Sequence, residues 1–286
     1  MVEIKKVAVL GAGHMGNGIA QVYAMAGFDV AMTDSEDKFL QRGFDTIKKS
    51  LALMAKKGKI TEAQAREITT VRIKGFLDMK EAVKDADLVI EAVPEELDLK
   101  QKIFKELDEI CPSHTILATN TSTISITAIA SATKRPDKII GMHFAGPVPL
   151  MVGVEIIKGL DTSLDTLEIA KKMVDVVGKK VYVGKDGPGF VGNRLFPMFL
   201  NEAFNLLWEE IATPEDIDNM ATLSLGHPMG PLALADMIGL DQLLKGIEYL
   251  HKELGEKYRP SPMLKKLVAA GYYGRKTGRG VFKYDK

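Results

Sequence analysis

The most informative spacing in this chain is glycine spacing. Gly11, Gly13 and Gly16 stand as GxGxxG inside KKVAVLGAGHMGNGIAQVYAMAGFDVAMTD, residues 5–34. In such a loop the first glycine permits a tight turn and the second lets a diphosphate approach bare backbone. The third lets the following helix pack close to the strand, with its amide-rich end toward the phosphates. His14 and Met15 lie within the loop, and Asp34 follows 18 residues after Gly16. An acid at that distance can accept hydrogen bonds from the ribose hydroxyls of a dinucleotide. A carboxylate also repels a 2′-phosphate, and no arginine occurs in Ser35-Glu36-Asp37 to neutralise one. NAD is therefore expected rather than NADP, with Lys38 the nearest cation that could reach the site.

Oxidation of an alcohol by such a cofactor needs a base for the hydroxyl proton, and imidazole has a suitable unperturbed pKa. Of the five histidines, His143 is the candidate. It ends an apolar run, 139–144, and precedes the stiff Gly146-Pro147-Val148-Pro149 turn. Glu155 lies twelve residues on, so an antiparallel pairing could bring it alongside. A carboxylate there would fix the imidazole tautomer and stabilise the imidazolium. The same two residues could equally form a structural ion pair, or Glu155 could face solvent from an edge strand. Asn120 and Ser122 sit in a polar loop after a strand. The Ser122 hydroxyl could bind a substrate oxygen or the nicotinamide, or cap a helix. Asn193 opens a long helix and could reach a substrate carbonyl or cap that helix. Lys48, Lys49, Lys56, Lys57 and Lys59 make one helix end basic, which suits a solvated face or an anionic substrate handle.

The elements that must position these groups follow from periodicity. Apolar runs predict strands at 7–10, 29–33, 71–73, 88–93, 116–119, 139–144, 152–157 and 181–183. Helical spacing falls between them, with Ser35 as a helix cap, a helix from about Leu99 to Ile110, and another from Ile124 to about Thr133. The alternation implies a Rossmann-like α/β fold, a doubly wound sheet with ligands beyond the carboxyl ends of its strands. Residues just after Leu10, Thr33, Val93 and Thr119 should ring one crevice. The stretch 184–189, GKDGPG, marks a boundary, giving domains at 1–184 and 185–286. Everything later reads as helix: 190–208, 214–225, 231–238, 240–254 and 262–270. The second domain should thus be all-α, with apolar faces to bury internally or against a second copy.

Composition narrows the function classes. The 286 residues hold 38 basic and 38 acidic side chains, so bulk charge selects neither nucleic acid nor an anionic membrane. The single cysteine, Cys111, excludes an internal disulfide framework and fits a reducing compartment. No apolar run approaches bilayer length, and the first strand starts too near Met1 for a leader, so a cytoplasmic protein is expected. No residue is assigned to a metal.

Taken together, GAGHMGNGIAQ, EAVPEELDLK, NTS, GMHF-x-x-PVP-x-M, PGFVGNR, HPMGPLALAD-x-IGLD and GRKTGRG-x-F-x-Y occur in one order. In this the chain resembles the L-3-hydroxyacyl-CoA dehydrogenases over nearly its whole length. The resemblance implies that His143 is the catalytic base and Glu155 its carboxylate partner. It implies that Ser122 contacts substrate and nicotinamide, and that Asn193 completes the active site from the second domain. Glu95 and Lys100 match positions near the nicotinamide ribose, and Lys276 a cofactor-associated tail lysine. Ser50 and Lys57 match positions that contact coenzyme A, making a coenzyme A thioester the implied substrate. Members dimerise through the helical domain. One departure is Ala145-Gly146, where the family usually carries Phe-Asn. Two other readings fit a chain of this kind: a related dehydrogenase of free hydroxy acids, and a retired enzyme kept as a nucleotide-binding or structural protein.

Overall fold

The structure is a computed structural model that describes residues 4–284. The chain forms two compact units, Met1–Gly187 and Pro188–Lys286. Elements of the first are β1 (Lys6–Leu10), α1 (His14–Met25), β2 (Asp29–Thr33), α2 (Asp37–Lys56), α3 (Glu62–Glu67), β3 (Ile73–Phe76), α4 (Met79–Val83) and β4 (Leu88–Glu91). They continue with α5 (Leu97–Ile110), β5 (Ile116–Thr119), α6 (Ile126–Ala130), β6 (Ile139–Phe144), β7 (Gly153–Lys158), α7 (Leu164–Val176) and β8 (Lys180–Lys185).

The strands form one eight-stranded sheet in the order β3-β2-β1-β4-β5-β6-β7-β8. All neighbours are parallel except β6 and β7, which pair antiparallel. Val7, Val9, Leu88, Ile90, Leu117 and Ala118 are at most 1% exposed, as near-continuous apolar strands covered on both faces must be. Strand order reverses between β1 and β4. Loops leaving their carboxyl ends diverge there and open the crevice that such sheets use for ligands.

Three local expectations are corrected. Ser35 does not cap α2: its amide and hydroxyl turn back to the Asp34 carboxylate, and Glu36 takes the cap position without a side-chain bond. Val71 and Arg72 are not strand, because a π-helical turn, Ile68–Arg72, prolongs α3 up to β3. The boundary moves from 184 to 187, since Gly184 and Lys185 stay in register with Ile157 and Lys158, and Asp186 N bonds Lys158 O at 2.9 Å.

The second unit holds α8 (Gly192–Trp208), α9 (Pro214–Asn219), α10 (Pro231–Ile238), α11 (Leu240–Leu254) and α12 (Pro262–Ala269). Leu200, Phe204, Leu232, Leu243, Ile247 and Leu264 form its own core. Helix α8 starts at Gly192 rather than Phe190, because Gly189 and Phe190 are left-handed at φ 72° and 49°. Among the described residues no helix is long and apolar enough to cross a membrane.

Candidate active site

At the carboxyl end of β1 each glycine of the loop has its own steric reason. Gly11 has φ 93°, and a Cβ on it would lie 2.7 Å from Ala92 O. A Cβ on Gly16 would lie 1.8 Å from Gly11 O, a collision with backbone. A Cβ on Gly13 would meet nothing within 4 Å, so this is the open side of the loop. Gly13 also precedes α1, whose first turn carries neither a side-chain cap nor an acid. Such an uncapped helix start suits a phosphate. Asp34 ties the loop to β2 by accepting from Ala12 N at 2.8 Å, while Ser35 N donates to its other oxygen at 2.7 Å. Lys38 pairs with Glu36 at 2.8 Å, so the cation next in sequence to that acid is already engaged. Gly43 of α2, which periodicity did not single out, lets α2 close on the loop: a Cβ there would lie 2.8 Å from Ala12 O. These residues would suit a dinucleotide, with Gly13 leaving bare backbone on the open side of the loop.

The His143–Glu155 pair is built by sheet register. His143 on β6 stands directly opposite Glu155 on β7, with Nδ1 3.3 Å from Oε2. Because β7 is flanked by β6 and β8, Glu155 is not on an edge; it is 7% exposed. On the other side of the ring, Ser122 Oγ lies 3.1 Å from Nε2. With a carboxylate at Nδ1, the tautomer that satisfies both contacts carries its proton on Nδ1 and leaves Nε2 as acceptor.

The loops bearing these groups are fixed from behind. Glu95 accepts from Thr121 Oγ1 at 2.6 Å, from the amides of Ser122 and Thr123, and from Thr123 Oγ1. Burial raises its pKa, but those donors and the Lys100 cation outweigh burial and hold the carboxyl below its usual range. Asn120 Oδ1 accepts from Phe144 N at 2.9 Å, committing that side chain to the end of β6. Lys100, expected near a ribose, is 1% exposed; it bonds Glu91 at 2.6 Å and lies 3.4 Å from Glu95.

Beside the loop lies a cavity of about 200 Å³. It gathers His14, Asn17 and Gly18 of α1, Ser50 and Lys57 at the end of α2, and the Pro147–Leu150 stretch. Ser50 and Lys57 thus share one space with the glycine loop. The structure also gives a reason for Gly146. A Cβ there would lie 3.0 Å from His14 Nε2 and 3.3 Å from Met15 Sδ, so those two side chains take the room a larger residue would need. In the second unit, Asn193 lies half-buried in the first turn of α8. Lys276 is held by Asp241 at 2.6 and 2.7 Å over the Tyr273 ring, and its hydrogen bond keeps the Asp241 carboxyl below the ordinary value. Cys111 is buried at the end of α5; burial pushes its thiol up to about 12, the reverse of activation.

A doubly wound sheet with a glycine loop after its first strand, an acid after its second and a carboxylate-backed imidazole has the arrangement of an NAD-dependent dehydrogenase. The chain belongs to the 3-hydroxyacyl-CoA dehydrogenase family. The family's NAD-binding-domain model matches residues 6–187 and its C-terminal-domain model residues 189–284. A probable 3-hydroxybutyryl-CoA dehydrogenase of Bacillus subtilis is 48% identical, with 99% of each chain covered. The 3-hydroxybutyryl-CoA dehydrogenase of Bradyrhizobium diazoefficiens is 46% identical, covering 98% of this chain and 96% of that one. The solved structure of (S)-3-hydroxybutyryl-CoA dehydrogenase from Ralstonia eutropha is 47% identical with a TM-score of 0.95, covering 99% of this chain and all of that one.

Proposed function

We propose that the chain interconverts a short (3S)-3-hydroxyacyl-CoA, the four-carbon ester in the first place, and its 3-keto counterpart. The observation that carries this reading is His143 held between Ser122 and Glu155 at the carboxyl end of β6. In the oxidative direction His143 Nε2 takes the hydroxyl proton while Glu155 faces the imidazolium so formed. Ser122, already hydrogen-bonded to Nε2, orients the substrate oxygen toward that nitrogen. Asn193 supplies an amide to a substrate carbonyl. Bound NAD supplies the acceptor for the hydride that leaves the same carbon. Gly11, Gly13, His14, Met15, Gly16, Asp34, Glu95 and Asn120 shape its site, with Lys276 contributing from the tail, and Ser50 and Lys57 meet the coenzyme A moiety. The free hydroxy-acid reading would leave the Ser50 and Lys57 cavity without a task.

The test is consumption of reduced nicotinamide with acetoacetyl-CoA, against free acetoacetate and with NADPH in place of NADH. His143→Gln should lower kcat by about 10²-fold or more while NADH still binds. Parent turnover in that variant, or equal activity on free acetoacetate, would remove the assignment. The same reading places the enzyme in the cytoplasm, in keeping with a lone buried cysteine. It pairs the helical unit with a second copy, supported by exposed Leu195, Phe196, Leu223 and Leu225. Light scattering should return twice the mass of the chain.

A further inference from the structure

Lys179, the residue before β8, sends its side chain beneath the loop that joins β6 to β7. It is 7% exposed, and Nζ donates to Val148 O and Met151 O, both at 2.6 Å. Among the described residues no carboxylate pairs with it. Burial accordingly holds the ammonium below the ordinary lysine value. An ammonium without a counter-ion is costly to bury, whereas an apolar chain of the same length would fill the space more cheaply. What the charge contributes here is a bond to two carbonyls of one loop. On the opposite side the loop lies against α1, where a Cβ on Gly18 would be 2.8 Å from Val148 Cβ. Leu150 N and Met151 N both turn back to Pro147 O, at 2.9 and 3.0 Å. The loop is therefore gripped from both sides in a tight turn.

Two parts of the site depend on that turn. Pro147–Leu150 forms one wall of the cavity that holds Ser50 and Lys57. The loop also links the strands that carry His143 and Glu155, although those strands have their own ladder of five residue pairs. We propose that Lys179 is a positioning residue for the acyl-CoA substrate, its ammonium locking the 147–151 turn into the shape that walls the Ser50–Lys57 cavity. This rests on reading that cavity as the coenzyme A site.

The test compares Lys179→Met with Lys57→Ala in the full-length enzyme, following backbone hydrogen exchange of the 145–152 segment together with steady-state kinetics. Lys179→Met should speed exchange at Leu150 and Met151 about tenfold, since the turn now opens locally. Its KM for acetoacetyl-CoA should rise about tenfold while kcat changes less than about threefold and NADH affinity holds. Lys57→Ala should raise KM without altering loop exchange. If Lys57→Ala raises KM and Lys179→Met does not, the lock is wrong and the cavity reading stands. If neither variant moves KM, the cavity reading itself fails. Should Lys179→Met not fold, Lys179→Gln, which keeps an N–H donor, is read in the same assays. Equal loss of NADH affinity and acyl-CoA affinity in it would overturn the proposal in favour of a general structural role.

Discussion

The glycine loop separates two demands that one motif places on a residue. Gly16 is there because the protein's own backbone is in the way: an added Cβ would sit 1.8 Å from Gly11 O. A Cβ on Gly13 would meet nothing within 4 Å, and the residue has an ordinary extended backbone, φ −64° and ψ −168°. Gly16→Ala must therefore push α1 off β1, and should lower thermal stability without cofactor by about 2 kcal/mol or more. Gly13→Ala should melt within about 0.5 kcal/mol of the parent, as open surface sites do. Its NADH affinity should nonetheless fall about tenfold, because the new methyl stands where the diphosphate must approach. Thermal scans paired with NADH fluorescence titrations check both. A Gly13→Ala protein that binds NADH at parent strength would show that the ligand does not use that face.

At the scale of elements, the clearest dependence is the closing tail on α10. Asp236 is 1% exposed and accepts from Val281 N and Phe282 N, both at 2.9 Å, and from Tyr284 OH at 3.0 Å. Gly274 and Gly280 press so close that a Cβ on either would overlap Asp236, at 2.1 and 1.9 Å. Asp236→Asn keeps the shape but turns one acceptor into a donor facing other donors. It should cost about 1–3 kcal/mol and expose the tail to early cleavage by a nonspecific protease; unchanged urea midpoints and cleavage rates would show the tail is held otherwise. The motif was visible in the sequence, yet its reason was not, because Asp236 and Val281 are 45 positions apart. The same divide runs through the fold. Strands such as Ile116–Thr119 were legible because each is an apolar run bounded by polar residues. The π-helical turn Ile68–Arg72 was not, since ITTVR has the β-branched content of a strand and only the path from α3 bends it. Helix α4 went unseen for being five residues long, with Asp78 as its cap. Ser35 offers a hydroxyl for a cap, yet it turns back to Asp34 and the cap position falls one residue later, at Glu36. In the site, the His143 and Glu155 pairing could be argued from a twelve-residue return. The committed oxygen of Asn120 could not, being set by Phe144 24 positions on, nor could the burial of Lys100, which folds back from α5 onto Glu91 of the preceding strand.

Across the whole molecule, acid should act unequally on the two units. In the first, Glu95 and Asp87 bind sequence-distant loops and strand starts. Burial raises both, but hydrogen bonds outweigh it: Thr121 and its neighbours at Glu95, and the amides of Lys5 and Lys6 with His114 at Asp87. Each folded carboxyl thus titrates below its unfolded value. The unfolded chain then takes up more protons than the folded one as acid is added. The stability these groups contribute is present above about pH 4 to 4.5 and drains away as pH falls through their depressed folded values. Asp218 in the second unit has the opposite sign. Burial holds its carboxyl above the ordinary range despite bonds from Leu232 N and Ala233 N, so the folded unit takes up a proton there before the unfolded chain does. Its contribution grows as pH falls. Asp241 and Glu256 in that unit are also depressed, by Lys276 and His251, but their pairs lie at the surface, where water weakens them. Trp208, the only tryptophan, reports the second unit alone, and hydrogen exchange of β4 and β5 reports the first. Between about pH 6 and pH 3.5 the urea midpoint read by exchange should fall more steeply than that read by Trp208 emission. Glu95→Gln should lower the first midpoint at neutral pH and flatten its acid slope, because the group that titrates has gone. If wild-type midpoints from the two probes move together across that range, the first unit draws no special stability from Glu95 and Asp87.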